Sequence, residues 1–82
     1  MQSNGQIQFT IAGRRISLTR KDVENALRNV KPEPIKRYSV KINGTDYPPK
    51  QAVSIATGVP AIAFITTTAY RVLTRLGFEV RV

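Results

Sequence analysis

Cysteine and histidine are both absent from this chain of 82 residues. Without cysteine no disulfide can staple the fold, and the usual thiolate and imidazole ligands for zinc or copper are missing. The same two absences exclude serine–histidine and cysteine–histidine nucleophiles. Acidic residues are scarce: Asp22, Glu24, Glu33, Asp46 and Glu79 are the whole set, scattered over the pattern. General acid–base work needs two titratable groups converging on one pocket, and no such pair is evident. Asp22 is better explained as a helix-start residue and Asp46 as a turn residue. Gly13, Gly44, Gly58 and Gly77 punctuate turns and helix ends and belong to no phosphate-binding loop. The expectation is a protein that is not an enzyme, with no cofactor, no metal and no small-molecule substrate.

Long apolar runs are also missing. The longest, Val59 to Ile65, is far too short to span a bilayer. Met1 to Gly5 is polar and has no basic and apolar segments of a secretory leader. A soluble, cytoplasmic protein without a membrane partner is expected.

What the chain does have is positive charge. Thirteen Lys and Arg against five Asp and Glu give a net charge of +8. Such an excess attracts polyanions at long range and makes their association salt-sensitive. Nucleic acid is the partner it fits best. With 41% apolar residues the length suits one domain and not two. A domain of this size buries roughly 60% of its unfolded surface, so its core is thin.

Residues 1–5 read as a disordered lead-in to a single DNA-binding domain over residues 6–82. Ile7, Phe9 and Ile11 alternate with polar residues, Gly13-Arg14 turns the chain, and Ile16 and Leu18 resume the alternation, which describes a hairpin. Thr19 is placed to cap a helix, with Asp22 three residues on. Val23, Ala26, Leu27 and Val30 then form one apolar stripe, and Lys31-Pro32-Glu33-Pro34 ends the helix. Arg37 to Ile42 alternates with Tyr38, Val40 and Ile42 inward, and Asn43-Gly44 is a strong signal for a type I′ turn into Thr45 to Tyr47. Pro49 opens a second helix with Ala52, Val53, Ile55 and Ala56 on its apolar side and Gly58 at its end. Phe64 plugs a loop into the core. Thr66, Thr67 or Thr68 caps a third helix carrying Ala69, Val72, Leu73 and Leu76, which Gly77 terminates. Phe78, Val80 and Val82 form a last strand. The fold class is therefore α+β, ordered ββ-α-ββ-α-α-β, with three helices packed on a mostly antiparallel sheet.

Placed on these elements, the polar residues suggest a duplex-DNA surface on the second and third helices. Lys50 starts the second helix, where free backbone N–H groups and the positive dipole end suit phosphate. Gln51, Ser54 and Thr57 are assigned to its exposed side, and Gln can pair bidentately with adenine. The alternative is an ordinary solvated face, but that face lacks the usual Glu–Lys pairs. Arg71 and Arg75 sit one turn apart on the third helix and repel mildly unless an anion lies between them. Thr66 and Thr67 stand at its start. Lys36 and Arg37 on the second hairpin, with Arg14, Arg15 and Lys41, add backbone contacts. Tyr47, before the rigid Pro48-Pro49 corner, is the aromatic placed to stack on a base or wedge into a groove, or else to pack over the prolines. A standard helix-turn-helix is excluded, because its turn takes three or four residues and the loop here is longer.

One string is unusually specific: Tyr47-Pro48-Pro49-Lys50, then Ala56-Thr57-Gly58, then Phe64-x-Thr66, and finally Ala69-x-Arg71-x-Leu73-x-x-Leu76-Gly77-Phe78-Glu79-Val80. It resembles the small N-terminal head domain of bacterial McrA-like modification-dependent HNH restriction endonucleases over Val23 to Val82. The resemblance implies a DNA-recognition module of a restriction or defence system, reading modified cytosine, with the roles falling on Tyr47, Lys50, Gln51, Thr66 and Arg71. It further implies fusion to, or association with, an effector nuclease. The nuclease itself is absent here, so an excised domain or a stand-alone binder is expected and cleavage is not carried over. Two rivals stand beside duplex DNA. One is a protein-interaction module, an adaptor or inhibitor docking on an acidic partner. The other is RNA, for which three Tyr and three Phe, mostly inward, make a weak stacking platform.

Overall fold

The alternating first segment forms a hairpin of β1 (Ile7–Ile11) and β2 (Arg14–Leu18) in the computed structural model, which describes residues 6–82. The lead-in expected at residues 1–5 lies outside the described residues. The turn falls one residue earlier than expected, on Ala12 and Gly13, whose φ values of 52° and 77° are those of a type I′ connection. Register pairs Ile11 with Arg14 and Ile7 with Leu18, so Ile11 and Leu18 enter the core from the same face.

Helix α1 (Arg20–Ala26) opens with a capping box. The Asp22 amide donates to the Thr19 hydroxyl at 3.0 Å and the Thr19 amide donates to the Asp22 carboxylate at 2.9 Å. The helix stops at Leu27, well before the prolines expected to end it. Val23 and Leu27 are fully buried, while Val30 lies past the end, half-buried in the turn that follows.

The second alternating segment gives β3 (Ser39–Ile42) and β4 (Thr45–Tyr47), joined through Asn43 and Gly44 at φ 55° and 80°. Strand β5 (Val80–Arg81) pairs antiparallel on the other side of β3, giving the order β4-β3-β5. The protein is thus α+β in the expected element order, but its strands form two antiparallel sheets where one was expected. Phe78 is buried ahead of the short β5, and Val82 lies exposed beyond it.

Helix α2 (Pro49–Thr57) begins at the Pro48-Pro49 corner and closes at Gly58, in the left-handed region at φ 79°. A 3-10 turn over Ala61–Ala63 leads to α3 (Thr66–Arg75). No threonine caps α3. Ile65 occupies that position, and no side chain bonds the first turn. The other end closes as a Schellman motif: Phe78 N–H donates to Leu73 C=O, and Gly77 N–H to Thr74 C=O, both at 3.0 Å. The apolar faces of α1, α2 and α3 bury Val23, Leu27, Ala52, Val53, Ala69 and Leu73 against Val40 and Ile42 of the three-stranded sheet. Phe64 closes this core from the α2–α3 connection, as expected, whereas Ile55, assigned inward, is exposed.

Candidate nucleic-acid interface

The predicted site residues do not share one environment. Lys36, Arg37, Lys50 and Thr66 line a cleft of about 190 Å³ with Pro34, Tyr38 and Pro48. Tyr38 and Thr66 also line an adjoining cleft of about 330 Å³, together with Thr67, Tyr70 and Val82. The shared residues make these two stretches of a single groove, cationic at one end and aromatic at the other. It runs past the start of α2, which supplies Lys50, and the start of α3, which supplies Thr66 and Thr67.

Neither stretch has an Asp or Glu in its lining. Among the described residues the ion pairs are Arg20 with Glu24 at 3.4 Å and Arg81 with Glu79 at 3.5 Å. Lys36, Arg37, Lys50, Arg71 and Arg75 enter neither. Instead the Arg37 guanidinium lies 5.9 Å from the centre of the Tyr38 ring, and the Lys50 ammonium 6.0 Å from that of Phe64. Those contacts orient the two cations without neutralising them. Arg71 and Arg75 point outward on α3, one turn apart, with Thr67, Tyr70 and Thr74 on the same exposed side. The uncapped start of α3 adds backbone N–H groups and the positive dipole end to the groove, with no acidic residue in the first turn. Ser54 stands one helical turn after Lys50 and is half-exposed.

Two assigned readers are not available there. Gln51 is buried at 7% exposure. Its side-chain carbonyl accepts from the Glu33 amide at 2.8 Å and its amide donates to the Lys31 carbonyl at 2.9 Å. It stands one residue past Lys50, about 100° around the helix, which turns it under the Lys31–Pro34 segment. Tyr47 is buried at 3% exposure, and its hydroxyl donates to the Leu27 and Val30 carbonyls at 3.1 and 2.8 Å. It holds the chain leaving α1 and offers no ring to a ligand. Thr57, assigned to the same exposed side, is occupied too: its hydroxyl donates to Val53 C=O at 2.7 Å and accepts from the Val59 amide at 3.1 Å.

The aromatics that do face the groove are Tyr38 and Tyr70, ring centres 6.3 Å apart and inclined at 76°. Tyr38 was expected in the core. It precedes β3 by one residue, so the alternation that buries Val40 and Ile42 does not extend to it. For Tyr70, spacing from Thr66 and Thr67 was the available signal, since i+4 and i+3 share a helix face.

A second cleft, of about 510 Å³, lies on another part of the surface. Glu24, Asp46 and Glu79 meet Arg20, Lys41 and Arg81 in its lining, three carboxylates against three cations. The net charge therefore resides outside it. No group of three or more His, Cys, Asp or Glu is placed to hold a metal ion among the described residues. Among the described residues no helix is long and apolar enough to cross a membrane.

The fold and site define a small basic α+β domain with a carboxylate-free groove. Over residues 7–82 the chain matches the model of the SCO5918-like family, and it belongs to that family. Neither the curated proteins nor the solved structures contain a match to it.

Proposed function

We propose that the domain binds duplex DNA through this groove and the outward face of α3, and performs no catalysis itself. The observation that carries the reading is the convergence of unpaired cations with an uncapped helix start in a groove that no carboxylate lines. Lys36, Arg37 and Lys50 neutralise phosphates along the groove, releasing counterions, while Arg71 and Arg75 extend the track along α3. Ser54, Thr66 and Thr67 are short enough to reach base edges once the backbone is seated. Preference for modified cytosine, and service to an effector nuclease in a bacterial defence system, extend the proposal and rest on the Tyr-Pro-Pro-Lys resemblance.

The test is fluorescence anisotropy with one labelled duplex, unmodified and cytosine-methylated, titrated from about 50 to about 200 mM salt. The wild-type chain is expected to bind with a steep salt dependence. A Lys50→Ala/Arg71→Ala double variant with unchanged melting temperature is expected to lose that binding. Unchanged affinity in the double variant would sink the site assignment. Absence of wild-type binding at the lowest salt would overturn the DNA reading in favour of docking on an acidic protein.

A further inference from the structure

The groove changes character along its length, and the change has the order of a nucleotide. At one end Lys36, Arg37 and Lys50 present cations with no carboxylate in the lining. At the other end Tyr38 and Tyr70 stand edge to face, with the Thr66 and Thr67 side chains beside them. Thr66 and Tyr38 belong to both stretches, so the anionic and aromatic halves of one ligand can be engaged together. In an edge-to-face pair one ring covers only one face of its neighbour, which leaves aromatic surface open to a third ring. Tyr70 is 41% exposed, so part of its ring stays open beside Tyr38. The aromatic stretch, at about 330 Å³, falls at the small end of the range for ligand clefts, of roughly 300–1,000 Å³. That is room for one ring system rather than a stacked base pair.

We infer that the Tyr38–Tyr70 stretch receives a single unstacked base of the bound DNA, with the adjoining phosphate held by Lys36, Arg37 and Lys50; this rests on the duplex-binding reading above. The threonine hydroxyls of Thr66 and Thr67 supply donors and acceptors at the edge of the seated base. A base inside a matched duplex must first be unpaired and unstacked, at a cost that falls when it is mismatched. The domain then favours DNA carrying an unpaired base over perfect duplex.

The experiment compares three labelled DNAs by anisotropy at one salt concentration: a matched duplex, the same duplex with one central mismatch, and the single strand. Wild type is expected to bind the mismatched duplex on the order of tenfold more tightly than the matched one. Tyr70→Ala is expected to abolish that preference, so that the variant binds matched and mismatched duplexes alike. Tyr70→Phe, which keeps the ring, is expected to restore it. The exposed position on α3 lets both variants fold. Equal binding of matched and mismatched duplexes by wild type would overturn the base-binding inference and leave duplex binding standing. A mismatch preference that persists in Tyr70→Ala would overturn it as well, since duplex flexibility would then be its source. Binding of the single strand alone would overturn the duplex reading instead.

Discussion

The Tyr47 hydroxyl donates to the Val30 carbonyl at 2.8 Å, joining the end of β4 to the chain that leaves α1. The same oxygen reaches the Leu27 carbonyl at 3.1 Å, so one phenol serves two carbonyls at a frayed helix end. Tyr47→Phe removes the donor while preserving the ring. The expected loss is about 1 kcal/mol, because the part-buried Val30 carbonyl loses its donor while the Leu27 carbonyl still accepts from the Val30 amide. At about 4–8 °C per kcal/mol for a domain of this size, the melting temperature falls by several degrees. DNA affinity at a temperature where both forms are folded is expected to stay the same. A matching drop in affinity would return Tyr47 to the interface.

Gln51 fixes the Lys31–Pro34 segment through two hydrogen bonds, one to each side of Pro32. Gln51→Ala leaves the Glu33 amide without its acceptor. Exchange of that amide in heavy water is expected to accelerate well beyond that of the Val23 and Leu27 amides in α1. Stability is expected to fall by about 1–2 kcal/mol. Equal protection at Glu33 in the two proteins would show that the segment is held by something else.

Arg71 and Arg75 are assigned to phosphates on the outer side of α3. Replacing either with Gln is expected to lower the slope of log affinity against log salt by about 0.9 for each phosphate no longer neutralised. The reduction is expected to be alike for unrelated duplex sequences, because a phosphate carries no sequence information. A sequence-dependent effect would instead place that arginine on a base edge.

The two hairpins use the same turn with different residues. Asn43 takes φ 55° in the second, and Ala12 takes φ 52° in the first. Asn tolerates the left-handed region through its short polar side chain, whereas a Cβ without that compensation pays a steric penalty there. Ala12→Asn is therefore expected to stabilise the fold by about 0.5–1 kcal/mol, read as a higher denaturation midpoint in urea with an unchanged slope. An unchanged midpoint would mean that the first hairpin opens independently of the global transition.

Local signals locate most of the elements. Thr19 with Asp22, Asn43-Gly44, Gly58 and Gly77 each act within a few residues, and each stands where the spacing puts it. Long-range partners are not legible in the same way. The early end of α1 is tied to Tyr47, 20 positions from Leu27. The burial of Gln51 depends on carbonyl and amide groups of the 31–33 segment, which no periodicity reports. At the candidate site, charge and helix position single out Lys36, Arg37, Lys50 and Thr66 one at a time. Their shared groove follows from how the 34–38 segment passes the α2 and α3 starts. Tyr38 escapes the core because alternation holds only within the strand, and the strand begins one residue after it.

The balanced cleft and the groove also differ in what they contribute at a distance. Three carboxylates and three cations cancel around the first, while the second carries cations alone. The local potential is therefore nearly balanced at the cleft and positive at the groove. In the proposed approach to DNA, the groove is attracted more strongly than the cleft, which favours contacts made through it. Because salt screens the field within about 10 Å at 0.1 M, this long-range preference is lost before contact electrostatics are.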